Sequence, residues 1–231
     1  MPNRILLILY AVLSIVHLGA EALQVEWLIL LTKPLLVSLL AYWFWRVTAD
    51  SSSTFRKFLL LGLVFSVGGD TLLMFVEHGP QMEVFFLLGL GSFLIAQLCY
   101  TYALWSYPKV AAGIIFRKPW LIIFFLGYLV WILGTLWMGI PAPMRLPVGV
   151  YASAIVAMAI SAANLHGRTI PNIFWGFFAG VLLFVLSDTL IALNKFGEPI
   201  AGARFAIMLT YLAAQFLIAT YGSRLAVNEK R

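Results

Sequence analysis

Charge is the scarcest component of this 231-residue chain: Asp, Glu, Lys and Arg together make up 10% of it. Polar stretches able to solvate a globular surface are missing, while 63% of the residues are hydrophobic and the mean hydropathy is +0.99. A water-soluble domain of this length has no means of hiding so much apolar surface, which leaves a polytopic, all-α membrane protein. Cysteine is nearly absent, and the lone Cys99 excludes an intrachain disulfide. No Gly-rich nucleotide loop or nucleophile elbow occurs. The three histidines, His17, His78 and His166, sit at span ends, where interfacial solvation is expected, and lack zinc-ligand spacing, so no metal or organic cofactor is expected. The net charge of +6 requires no nucleic acid; basic loops facing an anionic leaflet account for it.

What is present is apolar sequence in helix-sized runs. About 20 apolar residues cross about 30 Å of hydrocarbon, and windows of that size fall at 5–20, 27–45, 58–76, 84–106, 120–139, 147–164, 171–194 and 203–221. Seven of the eight tryptophans lie near the ends of these windows, as an aromatic belt requires. The first window resembles a signal peptide, but the repeat described below argues that it is retained. Arg4, Arg46, Arg56, Lys57, Lys109, Arg117, Lys118, Arg168, Arg224, Lys230 and Arg231 fall on the side of the N-terminus, against Arg145, Lys195 and Arg204 opposite. That bias predicts cytoplasmic termini and, for a bacterial source, residence in the inner (plasma) membrane. The opposite loops collect Glu21, Glu26, Glu77, Glu83 and Glu198.

Against this background two carboxylates stand out. Gly69-Asp70-Thr71-Leu72-Leu73 and Ser187-Asp188-Thr189-Leu190-Ile191 each interrupt an apolar run. An acidic side chain at the centre of a spanning helix costs ~2.5–3.5 kcal/mol on insertion scales, so it faces a partner or a wet cavity and marks function. The two aspartates are 118 residues apart, as are Gln97 and Gln215 (each in an Ala-Gln pair) and Gly79 and Gly197. The same shift lays the first four spans on the last four. This predicts a parallel 4+4 repeat with halves at 1–110 and 117–226 of one membrane domain; inverted repeats need an odd number of spans. Lys33, beside Pro34, is the third charge within a span and pairs with Tyr151 under the shift. Lys33 follows Trp27 by six residues, and Asp70 and Asp188 precede Val76 and Asn194 by six. At ~1.5 Å per residue all three lie ~9 Å inside the end opposite the termini.

Two carboxyl groups in one apolar site can hold a single proton between them, giving a general acid beside a carboxylate, with Lys33 keeping one of them ionised. That pairing suits hydrolysis through an oxocarbenium-like transition state. Asp70 and Asp188 are therefore the candidate catalytic pair. Lys33, Tyr151, Gln97, Gln215, Tyr211 and Asn194 are candidates for substrate binding or for tuning the acids. The glutamines read equally as interhelical hydrogen-bonders, and Gly89 and Gly91 as close-packing positions. Buried Asp and Lys also serve as proton relays, so a proton-coupled transporter or lipid flippase is the chief rival. A scaffold pinned together by its charges is the third reading.

The chain resembles the YhhN/TMEM86 family, the lysoplasmalogenases. The matching pieces are Lys33-Pro34, Gly69-Asp70, the stretch from Phe86 to Tyr100, Leu183 through Asp188 to Phe196, and Tyr211 with Ala214-Gln215. The resemblance implies an eight-span enzyme that hydrolyses the vinyl ether bond of lysoplasmalogens to a fatty aldehyde and glycerophosphocholine or glycerophosphoethanolamine. Its partner would be a lysophospholipid within the membrane. It also implies Asp70 and Asp188 as the catalytic pair. One position departs: the family often carries His in the fourth span where this chain has Gln97, and an amide cannot transfer a proton in its place.

Overall fold

A computed structural model describes residues 2–77, 82–108 and 112–228. His78, Gly79, Lys109, Lys230 and Arg231 lie outside them. Lipid offers no partners to backbone amides, so each apolar run closes its own hydrogen bonds as a helix. The described residues form α1 (Pro2–Leu23), α2 (Glu26–Val47), α3 (Thr54–Met74), α4 (Met82–Ser106), a one-turn α5 (Ile114–Arg117), α6 (Ile122–Leu136), α7 (Arg145–Ala163), α8 (Pro171–Phe196) and α9 (Ala203–Asn228). Eight of these, all but α5, account for the spans of 18 to 26 residues that are apolar enough to cross a membrane. Their ends differ from the sequence windows by a few residues. The first helix runs on to Leu23, and α7, the sixth span, begins at Arg145 after a turn of 3-10 helix over Ala142–Met144. Local signals set several ends: Ser53 Oγ accepts from the Arg56 amide to cap α3, and Pro171 opens α8.

The most extensive helix contacts are α3 with α4 and α8 with α9. Small residues permit both approaches. A Cβ at Gly62 would strike the Tyr100 ring, and one at Gly180 would meet the Ile218 amide nitrogen at 3.0 Å. The offset of 118 residues carries the first of these contacts onto the second. Gly89 likewise admits Leu73, whereas Gly91, expected to serve the same purpose, has nothing close to it.

At the end of the bundle opposite Pro2 and Asn228, one cation ties three helices together. Arg204 at the start of α9 donates from Nε to Glu21 of α1 at 3.0 Å, and from its two terminal nitrogens to Glu26 of α2 at 2.9 and 3.3 Å. Glu21 is only 5% exposed. His17, placed by sequence at the solvated interface, is instead fully buried one turn before Glu21, with Nδ1 2.7 Å from Thr32 Oγ1. Thr32 gives its hydrogen to the Leu28 carbonyl, so His17 Nδ1 is the donor of that pair. The position along a span did not reveal which face of the helix it occupies. Arg204→Met strands the Glu21 carboxylate, and an uncompensated buried charge costs about 3 kcal/mol. The variant is expected to unfold at a clearly lower temperature in detergent, and adding Glu21→Gln recovers most of the loss. Equal melting of the parent and Arg204→Met would remove the latch from the account.

Candidate functional site

Asp70 lies one turn from the end of α3, where Gly69 lets the Phe93 ring of α4 press against the backbone. It is 4% exposed, and its Oδ2 accepts from the Tyr211 hydroxyl of α9 at 2.7 Å. Behind Tyr211 the donors form a chain: Gln215 Nε2 donates to the Tyr211 hydroxyl at 3.1 Å, and the Tyr100 hydroxyl donates to Gln215 Oε1 at 3.2 Å. Each link points its hydrogen towards Asp70. The ring of Tyr211 is held edge-on by Phe93 and packs against Phe184, so the hydroxyl has little freedom to wander.

Asp188 lies about two turns from the end of α8 and has different company. Its Oδ2 accepts from the Tyr151 hydroxyl of α7 and from Gln97 Nε2 of α4, the latter at 3.2 Å. The carboxylate of α3 is thus held by a helix of the second half, and that of α8 is held in part by a helix of the first. Thr71 and Thr189, which follow the two aspartates, both return their hydroxyls to the carbonyl four residues back. This common local geometry leaves the adjacent carboxylates free to turn outward from their helices.

Two chambers meet beside these groups. The first, counted with its mouth, holds about 760 Å³ and is walled mainly by apolar residues of α4, α6, α7 and α8; Asp188 and Tyr151 supply polar groups to it. The second holds about 1040 Å³ with its mouth and is lined by Glu21, Glu26, Lys33, Asn194, Lys195 and Arg204 among others. Leu73, Phe86 and Ile191 line both, so the chambers share a wall. An apolar cleft with a few convergent polar groups is the usual form of a small-molecule site.

The structure brings the sequence candidates together unevenly. Tyr151 and Gln97 sit on Asp188, and Tyr211 sits on Asp70 with Gln215 one bond behind. Lys33 and Asn194 belong to the polar chamber, where Asn194 Oδ1 also accepts from the Ile200 amide at 2.9 Å and shapes the turn into α9. Asp188 lines the apolar chamber, whereas Asp70 lines neither. The picture of both acids facing one hollow is corrected to that extent: the burial that Gly69 and Phe93 impose on α3 sets Asp70 behind the wall. Sequence reading missed Tyr128, whose hydroxyl donates to Thr189 Oγ1 at 2.6 Å across the apolar chamber. It also missed Lys195 and Arg204 as chamber residues. Their only signal was that they are rare basic residues on the side poor in basic charge. Among the described residues no three His, Cys, Asp or Glu side chains converge as metal ligands.

Comparison with known proteins adds a family. The YhhN family matches residues 28–221. Lysoplasmalogenase TMEM86B of Homo sapiens is 32% identical over 196 residues, covering 84% of this chain and 75% of its own length. The Sus scrofa form of TMEM86B is 31% identical over 195 residues with the same coverage. A lysoplasmalogenase of Mycobacterium tuberculosis is 31% identical over 166 residues, 71% of this chain and 59% of its own length. No solved structure matches.

Proposed function

This chain belongs to the YhhN family, and on that premise we propose that it is a lysoplasmalogenase, hydrolysing the vinyl ether bond of a lysoplasmalogen without a cofactor. The observation that carries the proposal is a carboxylate, Asp188, set in the wall of an apolar chamber that adjoins a charged one. Such a pair of chambers matches an amphiphile whose reactive bond lies where its chain meets its polar head.

Asp188, holding the proton of the pair, delivers it to the alkenyl carbon remote from oxygen. The double-bond electrons form the new C–H bond, and the carbon bearing oxygen becomes an oxocarbenium ion. Asp70 stays ionised near Lys33 and stabilises that positive charge through the low-dielectric interior. Water adds to the cationic carbon and gives its proton to the Asp188 carboxylate, which restores the acid. The hemiacetal then collapses to the aldehyde and the glycerol hydroxyl. Tyr151 and Gln97 hold Asp188 Oδ2 in place, a role an amide can fill where the family often has His. With the termini in the cytoplasm, the substrate enters from the outer leaflet.

Purified protein incubated with a lysoplasmalogen is expected to release fatty aldehyde, and the saturated 1-O-alkyl analogue to release none, because only the vinyl ether can be protonated at carbon. Aldehyde from neither substrate overturns the assignment. Proton flux in proteoliposomes without any substrate breakdown would award the site to a transporter instead.

A further inference from the structure

We propose that the polar chamber is a phosphodiester site for the lipid headgroup, in which Lys33 of α2 and Lys195 of α8 grip the phosphate while the apolar chamber takes the chain. This rests on the lipid-hydrolase reading above and names how that substrate is held.

The charges in the chamber do not cancel. Glu21 and Glu26 are both engaged by Arg204, so the donors of that cation are committed to the two carboxylates. Lys33 and Lys195 add two more positive charges, and among the described residues neither forms an ion pair. The lining holds three cations and two carboxylates; Arg204 is committed to the carboxylates, and the two lysines are the groups with donors to offer an anion. Lys195 is also located by the structure: its Nζ lies over the Phe86 ring, 4.1 Å from the centroid. Phe86 is one of the residues that line both chambers. Its ring therefore carries an ammonium and borders the space for the chain as well.

Spacing along α8 agrees. Asp188 to Lys195 is two helical turns, about 10 Å, with Ile191 of the shared wall between them. A vinyl ether and a phosphate joined by a glycerol unit are separated by a few bonds, an interval that a flexible lysine reaching back along the helix can close. Asn194, one residue before Lys195, adds its amide to the same lining. Of the anions that fit, a phosphate attached to an apolar chain uses both chambers, whereas a free phosphate uses one.

Binding of non-cleavable probes tests this without relying on turnover. The probes are a 1-O-alkyl lysophosphocholine, the matching 1-O-alkylglycerol without phosphate, and inorganic phosphate. Each is titrated into the detergent-purified full chain and followed by tryptophan fluorescence. The lysophospholipid is expected to bind at least about tenfold tighter than the alkylglycerol. Lys33→Met with Lys195→Met should reduce that preference to within about twofold, while Lys33→Arg keeps it; unfolding temperatures establish that each variant is folded. Equal affinity of the parent for the two lipid probes overturns the proposal, and so does a preference that survives both methionines. Inorganic phosphate binding as well as the lysophospholipid also overturns it, because the chain would then contribute nothing. Aldehyde release from a lysoplasmalogen is assayed in parallel: release without a phosphate preference removes the headgroup site alone, and a preference without release removes the hydrolase reading alone.

Discussion

Asp188→Asn is expected to lower aldehyde release from a lysoplasmalogen by about 10²- to 10⁴-fold, the range associated with a positioned general acid or base. The asparagine keeps the size of the side chain and an oxygen able to accept from Tyr151. Placed where Oδ2 lies, that oxygen also keeps the hydrogen bond from Gln97 Nε2, and the amide nitrogen takes the place of Oδ1. The variant should therefore fold, elute and melt like the parent, and the loss is chemical. Asp70→Asn is expected to cost less, about 10²-fold, because Asp70 acts on the cation through its charge and does not line the chamber. Its amide oxygen can still accept from Tyr211. Measured turnover of both variants near that of the parent would end the paired-acid mechanism. A larger loss for Asp70 than for Asp188 would reverse the roles assigned to them.

Filling the apolar chamber should change which substrates are cleaved. Ala152 and Ala192 both line it, on α7 and α8. A phenylalanine at either place would occupy space otherwise open to the alkenyl chain. Excluding about three methylene groups at ~0.8 kcal/mol each forfeits about 2.4 kcal/mol, or roughly a 50-fold loss in kcat/KM for long-chain substrates. Short-chain lysoplasmalogens, which do not reach that region, should be cleaved nearly as before. Chain-length profiles for parent, Ala152→Phe and Ala192→Phe provide the measurement. A loss that is uniform across chain lengths would mean that the chain lies elsewhere.

Much of the candidate site was legible because ionisable residues are conspicuous in apolar sequence. Asp70, Asp188 and Lys33 announced themselves by the cost of putting charge in lipid, and Gln97 and Gln215 by their shared offset from the aspartates. Tyr151 and Tyr211 were named as candidates, and each donates to one of the acids. Sequence could not tell the two aspartates apart, since their surroundings in the chain are nearly the same. The difference lies in the neighbours. Phe93 and Tyr211 close over Asp70, while the walls around Asp188 leave a chamber. His17 shows the same limit: its place near a helix end suggested water, and its face of the helix put it in the interior.

Composition and hydropathy by themselves determined that the chain is a bundle of eight apolar helices, because a backbone in lipid must satisfy its own hydrogen bonds. They also singled out the charged residues that such a bundle has to shelter. Only the tertiary structure decided which helix supplies each partner, which acid meets open space and where the lysines gather. Those outcomes depend on the rotation of each helix about its axis and on contacts between residues far apart in the chain. In a sequence apolar on nearly every face, no periodic pattern records that rotation.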